Sequence, residues 1–164
     1  MSVRTILRWP DPRLRRPAPA VEAVTDETLA LWDEMIRVMD AMPGVGLAAP
    51  QLGVDLRLAV VDASRERGRA LRLANPEILE ASAELAEHEE ASPCLPGVSA
   101  RVTRPATVTV RFLNEHGQID RRDLEGLWAV SVQHQIDHLD GRMYFDRLSR
   151  VKRDMLLRRA KKAG

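Results

Sequence analysis

The chain has 164 residues and only one cysteine, Cys94. That excludes an internal disulfide framework, fits a reducing compartment and leaves a single thiol to account for. Aromatic residues are 4% of the chain, so aliphatic side chains must build most of the core. No apolar run is long enough to span a bilayer, and no repeat, low-complexity tract or linker divides the sequence. The arginine-rich opening lacks an unbroken apolar stretch and is punctuated by Pro10, Pro12, Pro17 and Pro19, so no secretory signal is expected. What is present, 45% hydrophobic and 30% charged residues, is the composition of a soluble globular protein. One domain over residues 1–164 is expected, in the cytoplasm and away from membranes and DNA.

The net charge of +1 hides a gradient. Residues 149–164 hold seven basic side chains against Asp154, a net +6, which leaves −5 on the other 148 residues. Such a tail can hold a polyanion such as ribosomal RNA through phosphate contacts. It can equally be a solvated helix end whose cations sit at the negative pole of the macrodipole.

The pattern predicts an α+β chain. Residues 25–42 read as a helix capped by Thr25, with Leu29, Trp32, Met35, Ile36 and Met39 on one face. Residues 56–61 and 71–74 read as strands, and Val108, Val110 and Phe112 alternate with polar residues before a turn at 114–117, as in a hairpin. A helix is expected from about Leu124 to Leu139, ended by Gly141. A basic amphipathic helix follows from near Ser149, with Val151, Met155 and Leu156 or Leu157 facing inward. His88 and His116 are assigned to solvated loops. The expected architecture is antiparallel or mixed sheets packed around a central helix, with a helix at the C-terminal end.

Three words in the sequence bear on chemistry. His134-Gln135-Ile136-Asp137-His138 places two imidazoles one helical turn apart on one face, close enough to share a metal ion. Two histidines can also merely share a helix face. A metal site needs a third ligand, and Cys94, in Ser92-Pro93-Cys94-Leu95-Pro96, is the one soft anionic ligand available. A lone cysteine is otherwise a small buried hydrophobe. In Gly44-Val45-Gly46-Leu47-Ala48-Ala49-Pro50-Gln51, small residues allow close backbone approach to a ligand, and the Gln51 amide could meet a developing oxyanion. A tight helix-to-strand connection accounts for the same residues.

Taken together and in this order, GVGLAAPQ, the Cys94-Leu95 loop and QHQIDHLDG resemble the three motifs of the peptide deformylases, metal hydrolases that remove the formyl group from the N-terminal methionine of nascent chains. The likeness runs from RTILRWPDPRLRRPAPAV through MYFDRLS to the last helix. The resemblance implies Cys94, His134 and His138 as ligands of one divalent metal, iron(II) in the cell and often zinc or nickel in purified protein. It implies Gln51 and the backbone N–H of Leu95 as oxyanion donors, and contacts to substrate from Gly46, Val130, Ser131 and His134. It also implies a formylated peptide or nascent chain as partner, with the basic last helix as a contact to the ribosome.

The resemblance breaks at several positions. The family's proton-carrying glutamate is Gln135 here, an amide that can orient a water but not titrate. Loss of general acid–base help costs about a hundred- to ten-thousand-fold. Weak or altered activity is therefore expected, with formyl esters losing less than amides, and a catalytically silent binding module is the alternative. The family's EGCLS, laid on Cys94, puts Ser92 where an acidic residue belongs, so its ion pair with Arg104 is not expected to form. Laid this way the loop is two residues short after Leu95, and Pro93 offers no N–H. Asp137 and Asp140 are expected to support the histidines or end the helix.

Overall fold

A computed structural model describes residues 4–164; the first three residues of the arginine-rich opening lie outside the described residues. Helix α1 (Asp26–Ala41) begins at Thr25, whose hydroxyl accepts from the Thr28 N–H while the Thr28 hydroxyl accepts from the Thr25 N–H. This reciprocal cap satisfies two donors that a helix start otherwise leaves open. Trp32, Met35 and Met39 of the predicted face are fully buried, with Leu29 and Ile36 at its margin.

Five strands, β1 (Gly46–Ala48), β2 (Leu58–Val61), β3 (Leu71–Ala81), β6 (Thr107–Leu113) and β7 (Ile119–Glu125), form one sheet in the order β1-β2-β3-β6-β7. Strands β4 (Leu85–Glu90) and β5 (Ala100–Pro105) form a second sheet. Every pairing is antiparallel. Strand β2 explains the layering. All four of its residues are buried, because Leu58 and Val60 pack with α1 on one face while Ala59 and Val61 pack with α2 (Gly126–Leu139) on the other. Period-two alternation gives this strand two apolar faces, so its sequence reads as an unbroken apolar run.

Helix α2 is the central helix expected. One side joins Ala129, Val132, Ile136 and Leu139 to the large sheet. Its other side meets the small sheet through polar contacts, among them Gln133 Nε2 donating to the Pro105 carbonyl at 3.0 Å. The helix starts at Gly126 rather than at Leu124, because β7 stays in register with β6 through the Thr107–Glu125 pair and Gly126, at φ +57°, then turns the chain. The hairpin falls where predicted, with Gly117 N–H donating to Asn114 and Asn114 N–H to Gln118.

Three expectations need correction. His88 lies in β4 opposite Val102, not in a loop, whereas His116 is exposed in the hairpin turn. Residues 71–74 are only the start of β3, which continues past a register shift to Ala81. Helix α3 (Arg150–Ala163), capped by Ser149, turns Leu156 and Ala160 inward, with Leu157 partly covered. Val151 and Met155 point outward at 70% and 50% exposure, since the i, i+4 pair 156/160 rather than 151/155 meets the Tyr144–Phe145 cluster. No helix among the described residues is long and apolar enough to cross a membrane.

Candidate active site

The site begins with α2. His134 and His138, one turn apart, bring their ring centroids to 4.9 Å, and both are buried. His134 Nδ1 lies 2.9 Å from Glu90 Oε1. A carboxylate can only accept there, so Nδ1 donates and Nε2 is the ring nitrogen turned away from Glu90. Tyr144 stacks on the other side of His134, centroids 5.8 Å apart at 19°. Burial, reinforced by the neighbouring His134 ring, holds His138 neutral, well below the usual imidazole range. His138 Nε2 is buried without a partner among the described residues.

A buried ion network holds this face in place. Arg104, 1% exposed, donates through Nε and Nη2 to Glu90 at 2.7 and 2.9 Å and through Nη1 to Asp137 at 2.9 Å. Arg147 adds a second fork to Asp137, with both bonds at 2.7 Å. Burial pushes both carboxyls up, but the guanidinium bonds outweigh it, together with the His134 contact in the case of Glu90, and hold both below the ordinary carboxylate range. The Arg104 ion pair therefore does form, contrary to expectation, because Glu90 rather than a residue at position 92 supplies the carboxylate. Asp137 supports α2 from within this network, and Asp140 ends the helix in a pair with Arg57 at 2.9 Å.

The loop after β4 departs further from expectation. Cys94 is fully buried, and its thiol accepts from Gln51 Nε2 at 3.5 Å. Burial pushes that thiol up, away from the thiolate form. Among the described residues, no three His, Cys, Asp or Glu side chains are grouped as a metal ion requires. Cys94, His134 and His138 thus do not form the three-ligand centre expected of them: the loop turns Cys94 toward Gln51 and the Tyr144–Phe145 cluster. The expected Leu95 N–H donor is also spoken for, since it donates to the Ser92 carbonyl at 2.9 Å. The opening segment fastens both loops, with Leu7 N–H donating to Gln51 and Trp9 N–H to Cys94, each at 2.8 Å.

Gln51 sends its oxygen back to the Ala48 N–H at 2.9 Å and its amide nitrogen toward Cys94. Across from it, the Ser131 hydroxyl donates to the Val45 carbonyl at 2.8 Å, and buried Gln135 packs on Gly46 with its Oε1 lacking a partner among the described residues. The structure therefore brings Gly46, Ser131 and Gln135 together, with Val130 buried next in sequence. A Cβ at position 46 would come within 2.5 Å of Ser131 Oγ and 2.9 Å of Gln135 Cδ. Gly46→Ala is accordingly expected to lose about 1–3 kcal/mol of stability in urea unfolding. Wild-type stability in that variant would refute the close packing.

Glu90, Arg147 and Tyr144 belong to the site and were not singled out from the sequence. Tyr144 and Arg147 sit in the MYFDRLS word, and Glu90 was legible only by counting Glu-x-Ser instead of Glu-x-Cys.

A model of the polypeptide deformylase family matches residues 3–154. A peptide deformylase of Afipia carboxidovorans is 42% identical over 166 aligned positions, covering 100% of this chain and 97% of the relative. The crystal structure of a peptide deformylase from Legionella pneumophila superposes with a TM-score of 0.92 at 39% identity, covering 98% of this chain and 95% of that one. The Ehrlichia chaffeensis enzyme in complex with actinonin gives 0.92 at 33% identity, with 99% and 98% covered.

Proposed function

This chain belongs to the peptide deformylase family, and on that premise we propose that it receives the N-formylmethionyl end of a peptide against Gly46, Val130 and Ser131 and removes the formyl group only slowly. Gln135 carries this reading. It stands where the family motif has its proton-carrying glutamate, is buried and packs on Gly46, and an amide neither takes a proton from water nor delivers one to a leaving amine near neutral pH. The positioning apparatus of Glu90, Arg104, Asp137 and Tyr144 around His134 and α2 is intact, so what is depleted is the chemistry rather than the scaffold.

Peptide deformylases are metal-dependent, and the residues of this chain do not fit that requirement as expected. His138 Nε2 is free to ligate, but Cys94 is not grouped with the two histidines. A second reading, a catalytically silent module that holds formylated N-termini, is favoured by the engaged Leu95 N–H and by Pro93, which has none to give. In either case the whole chain acts as one cytoplasmic domain. The outward cations of α3, with exposed Val151 and Met155, support a contact to ribosomal RNA that would weaken steeply with salt.

Calorimetric titration with formyl-Met-Ala-Ser and with Met-Ala-Ser, alongside an assay for released formate, tests the proposal. Binding that prefers the formylated peptide is expected, with formate release slower by about a hundred- to ten-thousand-fold than for a deformylase carrying glutamate at this position. A formyl ester should lose less. Formate release at the ordinary family rate would overturn the slow-turnover reading, zero release with retained binding would establish the silent module, and equal indifference to both peptides would overturn recognition itself.

A further inference from the structure

The disagreement over the metal ligands has a structural origin in the loop between β4 and β5. Glu90, the last residue of β4, is anchored twice, to the His134 ring and to the Arg104 fork, so its place beside α2 is not adjustable. The family word EGCLS puts the ligand two residues after its glutamate. Counted from Glu90, that residue is Ser92, and the one after it is Pro93. Cys94 falls two positions further on, where its carbonyl takes the Trp9 N–H and its sulfur the Gln51 amide.

We infer that Ser92, not Cys94, occupies the place from which a third ligand would face His134 and His138, so that this chain carries a two-imidazole remnant of a metal centre which one thiolate at position 92 would complete. Ser92 is buried, and its hydroxyl takes the Cys94 N–H at 3.2 Å, so it closes the loop turn instead of serving a cation. An alcohol stays protonated where a thiol readily gives its proton to a soft divalent ion, and two imidazoles alone make a weak site. His138 Nε2 is the second, independent mark of a ligand position: it is a buried nitrogen without a partner among the described residues. The same count also explains why no backbone donor follows the ligand, because that residue is Pro93.

Cobalt(II) reads this out without substrate, so its outcome is separate from that of the peptide titration. Wild type, Cys94→Ser, and the double variant Ser92→Cys with Cys94→Ser are dialysed against cobalt(II) and compared by metal content and by the near-ultraviolet sulfur-to-cobalt charge-transfer absorption. The double variant is expected to retain about one ion per chain and to show the band. Wild type and Cys94→Ser should be indistinguishable, with no band in either. A band in wild type that disappears in Cys94→Ser would overturn the inference, as would a folded double variant that takes up no more cobalt than wild type. Should circular dichroism show the double variant unfolded, Ser92→Asp with Cys94→Ser tests the same position by metal content alone, gain supporting the inference and no gain in the folded protein overturning it.

Discussion

Arg104→Ala is expected to destabilise the fold by about 3–5 kcal/mol, the range for removing one partner from a buried ion pair and stranding the other charge. Arg104 joins Glu90 of the small sheet to Asp137 of the central helix, and without it Glu90 keeps His134 and Asp137 keeps Arg147 among the described residues. Arg104→Lys should recover part of the loss, because it restores the charge but not the fork that spans both carboxylates. The pH dependence distinguishes this from simple loss of packing. In wild type both carboxyls are held below their ordinary values, so they contribute stability that is fully present above an unfolded value of about 4 and is lost as pH falls through the folded values. In Arg104→Ala, burial prevails at Glu90, whose folded value rises above the unfolded one. That variant should therefore recover stability on acidification toward pH of about 4, where wild type begins to lose it. Urea unfolding of both proteins across this range measures the crossing trend; parallel acid profiles would show that Arg104 contributes by packing alone.

The second large effect is a gain. Combining Gln135→Glu with Ser92→Cys is expected to raise formate release from formyl-Met-Ala-Ser by about a hundred- to ten-thousand-fold over wild type when assayed with added cobalt(II). Gln135→Glu alone should give less than about a tenth of that gain, since groups that act as a unit are far from additive. The glutamate restores a titrating group beside His134, and the cysteine restores a ligand two residues from Glu90; the full gain needs both. Replacing Pro93 by leucine in the double variant should add further rate by returning a backbone N–H, a donor worth about a hundred- to a thousand-fold where it meets a developing oxyanion. A full gain from Gln135→Glu alone would mean that Cys94 already serves the histidines, and the loop register proposed above would be wrong.

How much of this was legible in the chain differs from element to element. The α1 face of Trp32, Met35 and Met39, the pair His134 and His138 on one helix, the hairpin at Asn114–Gly117 and the family words all follow from local rules: 3.6-residue spacing, cap chemistry and turn residues act over a few positions and are written in the sequence. The inner face of α3 and the strand pair β4–β5 were not, since whether Val151 or Leu156 is covered depends on what packs against the helix. The site divides the same way. That Gln135 cannot carry a proton is a property of its side chain and needs no coordinates. Which carboxylate would pair with Arg104, whether the Leu95 N–H would be free, and where Cys94 would turn were decided only in three dimensions. Counting along the loop from its cysteine gave one register, whereas the buried charge of Arg104 demands a carboxylate within reach whatever the count, and it is Glu90 that supplies one.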